Sequence, residues 1–262
     1  EGGVAGVAAF SRALLADARP TVSLSTTNVE TLLGGQFSFS ASFTNTSVQE
    51  GYAPFIDLIV PATGKDGVGT EVDDGLSFVS ATYLGQSVKA FALTFDAAGN
   101  ATHPLARDSS GDAVVVNATS YGARAGDQLI VLELPYASVT DSQPSIPIVV
   151  TCQLSNLADT QGAPDLTLKA RGGFQYGNDS AANPTADPSL LEAGTHDLVV
   201  HPTVLTLTES LSTQEGETAT GPNFSRSISV TATPAPGQTL HNVDITQALP
   251  DTLRVSEITP AA

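Results

Sequence analysis

The chain has 262 residues, with 27 Asp and Glu against 10 Lys and Arg, for a formal net charge of −17. That balance excludes a nucleic-acid binder and a partner of anionic lipid headgroups, because there is no basic stripe with which to displace counterions from phosphates. Only 14% of residues are charged while 55 are Ser or Thr, so hydroxyls make most of the wet surface, and the 41% apolar content suffices for a packed core.

Residues 1–19 read as a helix or linker from a preceding region: Val7, Phe10 and Leu14 share a helical face among alanines, and Arg19-Pro20 ends the run. From Val22 onward the dominant period is two. Val22-Ser23-Leu24-Ser25 alternates, and Phe37 to Thr44 alternates apolar and hydroxyl residues over eight positions, which predicts an antiparallel strand burying three phenyl rings on one face. More continuous apolar runs predict strands at Leu76–Ala81, Val88–Phe95, Ala113–Val116, Leu129–Leu134 and Ile148–Leu154. Alternation returns at Leu166–Lys169, Val204–Thr208 and Ile228–Thr233. Turn signals separate these runs, among them Leu33-Gly34-Gly35, 61–69, Asp108–Asp112 and Pro234–Gly237. Many short strands with punctuating turns make the chain all-β, an antiparallel sandwich.

A degenerate repeat divides it. Pro20-Thr21-Val22 recurs as Pro202-Thr203-Val204, Phe37-Ser38 as Phe224-Ser225, the stretch ending at Pro61 as that ending at Pro250, and Gly75–Ser80 as Thr252–Ser256. The spacing predicts one large β-sandwich module over 20–201 and the start of a second, truncated one over 202–262, in a chain that continues as a tandem array.

The strand ending Phe43-Thr44-Asn45-Thr46, the Asp57 to Pro61 strand end and Gly75-Leu76-Ser77-Phe78-Val79-Ser80 together resemble the conserved-repeat domains of microbial surface proteins. The likeness covers Gln36–Ser80 and Asn223–Ser256, and departs where Ala232-Thr233-Pro234 replaces the Thr-Asn-Thr. What it implies is a tandem of immunoglobulin-like modules, acting as spacers or display units on a cell surface or in an extracellular fibre, with no enzymology.

Several residues qualify for chemistry. Five Asn-x-Ser/Thr sequons make Asn45, Asn100, Asn117, Asn178 and Asn223 candidate glycosylation sites, with turn capping as the plain reading. Loop carboxylates at Asp66, Asp73 and Asp74, Asp96 with Asn100, and Asp108 with Asp112 offer hard oxygens to Ca²⁺, the one cofactor considered, although solvated turn residues account for them too. Lys89 and Lys169 fall on predicted strands, where a half-buried lysine could form an isopeptide crosslink; a lysine on the wet face is the default. The lone Cys152 reads as a small buried hydrophobe, and His103, His196, His201 and His241 as surface or turn residues. No G-x-S-x-G, P-loop, G-x-G-x-x-G or H-E-x-x-H motif occurs. The expectation is a non-enzymatic structural module of a long extracellular surface protein or filament. Its partners would be neighbouring modules or copies of the same chain, without direct membrane insertion of this segment. The alternative is a Ca²⁺-dependent adhesin or glycan-binding module at the cell surface, with its ligand site between Asp96 and Asp112.

Overall fold

The computed structural model describes residues 17–65, 74–179, 188–213 and 226–239, with isolated positions at 241, 244, 246 and 248. The expected helix over Val7, Phe10 and Leu14 lies outside them. In chain order the strands are β1 (Pro20–Leu24), β2 (Asn28–Leu32), β3 (Gln36–Asn45), β4 (Gly51–Tyr52), β5 (Pro54–Val60), β6 (Leu76–Tyr83), β7 (Gln86–Ser87), β8 (Lys89–Thr94) and β9 (Asn100–Arg107). There follow β10 (Ala113–Asn117), a 3₁₀ turn over Ala118–Tyr121, β11 (Gln128–Glu133), β12 (Ser138–Val139), β13 (Ile146–Leu154), β14 (Leu166–Phe174), β15 (Leu190–Leu191), β16 (His196–Thr203), β17 (Leu205–Thr213) and β18 (Arg226–Pro234). The protein is all-β, and no described helix is long and apolar enough to cross a membrane.

Two sheets face each other. The first has the order β1-β3-β13-β6-β7 and is antiparallel throughout. The second runs β2-β16-β14-β5-β11-β8, with β15 beside β14. Its edge corrects the expectation of uniformly antiparallel pairing, because β2 lies parallel to β16, with Asn28 opposite Val199 and Leu32 opposite Thr203. Parallel neighbours need a long crossover, and almost the whole sandwich intervenes between these two strands.

The alternation of β3 does what its period requires. Phe37, Phe39 and Phe43 point inward and meet Ile56, Leu58, Ile130, Leu132, Leu168 and Leu198 of the second sheet. Each fully buried large side chain contributes about 1.5–3 kcal/mol by leaving water. Strand β5 is buried at every position because the second sheet is covered twice. Phe55 and Ile59, with Leu129 and Val131 of β11, face away from the main core, and the β9–β10 hairpin closes over them with Leu105, Ala106 and Val116. This third layer explains why β5, apart from Asp57, and the middle of β11 are apolar without alternation: strands covered on both faces lose their polar alternation. Near the C-terminal end of β14, Gly172 and Gly173 have no side chain to collide with the rings that cross them; a Cβ on Gly173 would lie 2.2 Å from Phe55 Cζ. Strands β17 and β18 pair antiparallel, Leu205 with Pro234 through Thr213 with Arg226, as a separate two-stranded sheet.

Cys152 sits on the inward face of β13 with no exposure, and burial pushes its thiol up to about 12. At pH 8 only about one thiol in ten thousand is then ionised. A disulfide-exchange reagent is expected to leave the folded chain unlabelled and to titrate one thiol in denaturant. The raised value also means that the thiol's contribution to stability is intact below pH 8.5 and declines as the pH climbs toward 12. Rapid labelling of native protein at pH 8 would contradict the placement.

Candidate functional site

Strand β5 carries one polar residue, Asp57, on the face covered by the β9–β10 hairpin, and its side chain is fully buried. An isolated carboxylate there would be prohibitively expensive, so partners must converge on it. Two do. The register places Arg171 of β14 directly opposite Asp57, with the guanidinium Nε and Nη2 each 2.9 Å from Oδ2. The other oxygen, Oδ1, lies 2.9 Å from Nε2 of His103, itself fully buried.

His103 arrives from the third layer by way of a bulge. While β10 moves from Val115 to Ala113, β9 runs from Thr102 to Arg107, so the stretch containing His103-Pro104-Leu105-Ala106 has no ladder partners of its own. Proline is tolerated at such a bulge because it has no N–H to lose. The amides of Leu105 and Ala106 donate instead to Nδ1 of His103, at 3.1 and 2.7 Å. With Nδ1 accepting two amides, the ring is held as the Nε2–H tautomer, which donates to Asp57. The histidine thus satisfies the bulge with one nitrogen and the carboxylate with the other. Arg171 completes the cluster against Tyr121: its guanidinium carbon stands 4.8 Å from the ring centroid and its Nη1 donates to the phenol oxygen. Cation–π contact and hydrogen bonds use the donors that Asp57 leaves over. The group joins β5, β14, β9 and the turn after β10.

Sequence reasoning placed all four histidines at the surface, and for His103 that is wrong: its flanking proline marks a buried bulge, not a loop. His196 and His201 do lie at partly exposed positions, 2.8 Å from Glu192 and 2.7 Å from Asp165. The missed signal was an Asp inside the apolar run Phe55-Ile56-Asp57-Leu58-Ile59, which requires a buried cation or donor somewhere in the chain.

The acidic loops do not converge. Asp96 Oδ1 accepts from Ala98 and Asn100 N–H, both at 2.9 Å, and Asp108 Oδ1 accepts from Ser110 and Asp112 N–H at 2.8 and 3.0 Å. Gly99 and Gly111 adopt φ of 76° and 83° at the matching position of each turn. Asp96 with Asn100 and Asp108 with Asp112, the pairs offered as calcium ligands, thus form the same capped turn built twice, once at each end of β9. The two are roughly 20 Å apart along the strand. Asp74 is buried against Gly64; Asp66 and Asp73 lie outside the described residues. Among the described residues no cluster of three or more His, Cys, Asp or Glu is arranged to hold a metal.

The asparagines also bind backbone. Asn45 is buried, accepts from Arg19 and Ser47 N–H, and donates its amide to the carbonyls of Gln49 and Val139. In the folded chain both of its amide hydrogens are engaged out of solvent. Asn117 donates to Asn100 Oδ1 at 2.9 Å and caps Thr119. Asn178 accepts from Ala18 and donates to Asp17; Asn223 is outside the described residues. Lys89 and Lys169 form ion pairs with Glu133 and Asp197, at 2.7 and 2.8 Å.

No protein-family model matches the chain, and no curated protein sequence does. Among solved structures it is similar to a cohesin module from a family 33 glycoside hydrolase of Clostridium perfringens, with 9% identity over 71% of this chain and 98% of that one, at a TM-score of 0.35. It is also similar to AvmM, which catalyses macrocyclization in alchivemycin A biosynthesis, with 10% identity, 70% and 89% coverage and a TM-score of 0.39. A third is BcpA, the major pilin subunit of Bacillus cereus, with 9% identity over 73% of this chain and 42% of the pilin, at a TM-score of 0.34. At these TM-scores the likenesses bear on neither chemistry nor partners.

Replacing Asp57 by Ala should destabilise the fold by about 3–5 kcal/mol, because Arg171 is left charged and buried without its carboxylate. Replacing Asp57, His103 and Arg171 together by apolar residues of matching volume should recover much of that loss. Urea denaturation of the single and triple variants measures both. Equal destabilisation of the two would mean that the cluster does not act as a unit.

Proposed function

We propose that the chain is a non-enzymatic, load-bearing module of an extracellular or cell-surface assembly, joined to neighbouring modules or copies of itself. The observation that carries this is the parallel pairing of β2 with β16. The chain enters the sandwich through β1 and β2 and leaves it through β16, so tension between the ends pulls β2 toward its N-terminus and β16 toward its C-terminus. In a parallel pair those directions oppose each other along the strand axis. All the rungs, including Val199 N–H to Thr27 O at 2.9 Å and Leu33 N–H to Thr203 O at 3.0 Å, are then loaded together instead of one at a time.

The ends are secured further. Ala18 and Arg19 donate to the side chains of Asn178 and Asn45. Glu192 takes hydrogen bonds from Thr21 Oγ1, Val22 N–H and Gly172 N–H, tying β1 to β14 across the gap between the sheets. Below these clamps the Asp57 cluster binds the third layer to the second sheet, so the body that bears load is stiff. The buried charges serve cohesion, sealed from any substrate.

Single-molecule pulling from the two termini tests the reading. Val29→Pro is expected to cost about 1–3 kcal/mol by removing a donor at the β2–β16 rung, and to lower the unfolding force steeply. Phe91→Ala in β8, off the load path, should cost comparable stability and leave the force nearly unchanged. Equal effects of the two variants on force would refute the load-bearing role.

A further inference from the structure

The distribution of charge between the two sheets is lopsided. Each of the six main strands of the second sheet carries an ionisable residue: Glu30, Asp57, Lys89, Glu133, Lys169 and Asp197 are examples. The five strands of the first sheet carry no Asp, Glu, Lys, Arg or His. In a chain with 14% charged residues a sheet of this size would ordinarily hold several. Its outward face presents Ser23, Ser38, Ser77 and Ser80, with Thr151 donating to or accepting from Ser38 at 2.8 Å. Val149 of β13 and Val79 of the neighbouring β6 are exposed at 42% and 43%.

We propose that this outer face, β1-β3-β13-β6, is where a second copy of the chain docks. The inference rests on the assembly reading above and names its surface. Two copies with a net charge of −17 repel one another, and like charges brought together cost several kcal/mol. The uncharged face offers an approach free of that penalty. Hydroxyls both donate and accept, so the face can meet itself across a two-fold axis without a mismatch. The two valines, on adjacent strands, form an apolar patch beside hydroxyls, as protein interfaces set apolar residues among polar ones. Short and β-branched side chains also lose little rotamer freedom on docking. A sugar polymer fits less well, because the large aromatic rings of this sheet, Phe37, Phe39, Phe43, Phe78 and Tyr83, pack on the core side and leave no stacking platform.

The face is about 19 Å by 30 Å from strand spacing and rise, roughly 600 Å² per copy. A standard interface buries about 800 Å² per partner, so a single contact is weak and gains strength when chains meet at several modules.

Sedimentation velocity on the 262-residue chain, from micromolar to millimolar concentration, tests this directly. Reversible dimerisation is expected, strengthened between about 20 mM and 500 mM NaCl as acidic repulsion is screened. Val149→Glu and Val79→Glu should each weaken it about tenfold or more without lowering the monomer's Tm, whereas Thr94→Glu, the same charge added on β8, should not. A monomer at every concentration and salt would overturn the proposal, as would a dimer that both glutamate variants leave intact. Loss of polysaccharide binding by those variants, with wild type monomeric, would overturn it in favour of a sugar. None of these outcomes alters the response to force, so the load-bearing reading stands or falls separately.

Discussion

One carboxylate sets the terms for the middle of this molecule. Asp57 lies in a strand covered on both faces, where an unpaired charge is not tolerated, and the fold answers with a guanidinium from the adjacent strand and an imidazole from the layer above. Apolar area alone would let the β9–β10 hairpin slide over Phe55, Ile59, Leu129 and Val131, since dispersion and burial are not directional. Hydrogen bonds at 2.9 Å to two named oxygens are directional. The hairpin can sit in only one place if Asp57 is to be satisfied, and the bulge at His103 sits where that place requires it.

Much of the architecture was legible in the sequence because period-two alternation reports a strand with one wet face, and the first sheet has just such strands. The Phe37 to Thr44 run and the β17–β18 segments follow from that rule, while the Leu76 and Ile148 strands showed as more continuous apolar runs. What escaped has a common cause. Strand β9 reads Asn100-Ala101-Thr102-His103-Pro104-Leu105-Ala106-Arg107, and its bulge breaks the alternation that a periodicity argument needs. The parallel edge escaped because pairing between residues so distant in sequence leaves no local trace.

The loop acids show how spacing leaves two readings open. Hard oxygens four residues apart, as in Asp96 with Asn100 and Asp108 with Asp112, suggest ligands when only their spacing is seen, yet the same spacing lets an aspartate cap the two amides of its own turn. Two turns built alike, at Asp96 and Asp108, begin and end the strand that carries His103. The side chains that looked available are occupied in fixing the hairpin, and those that matter most, Asp57 and Arg171, looked like isolated charges in apolar strands. Only the register, which sets Arg171 opposite Asp57, turns them into a pair.

Charge is therefore used in two separate ways. Buried, in the second sheet, it specifies how three layers align; exposed, on that sheet and in the loops, it makes the surface acidic. The first sheet takes part in neither use and relies on phenyl rings inside and hydroxyls outside. Such a face gives up the devices by which natural sheets usually discourage association, namely inward or edge charges and lysines. Among the described residues, acidic loops and the charged second sheet make other approaches costlier for another acidic molecule than this face. Neutrality on one face then favours one orientation as a charge pair would, by making the others less favourable.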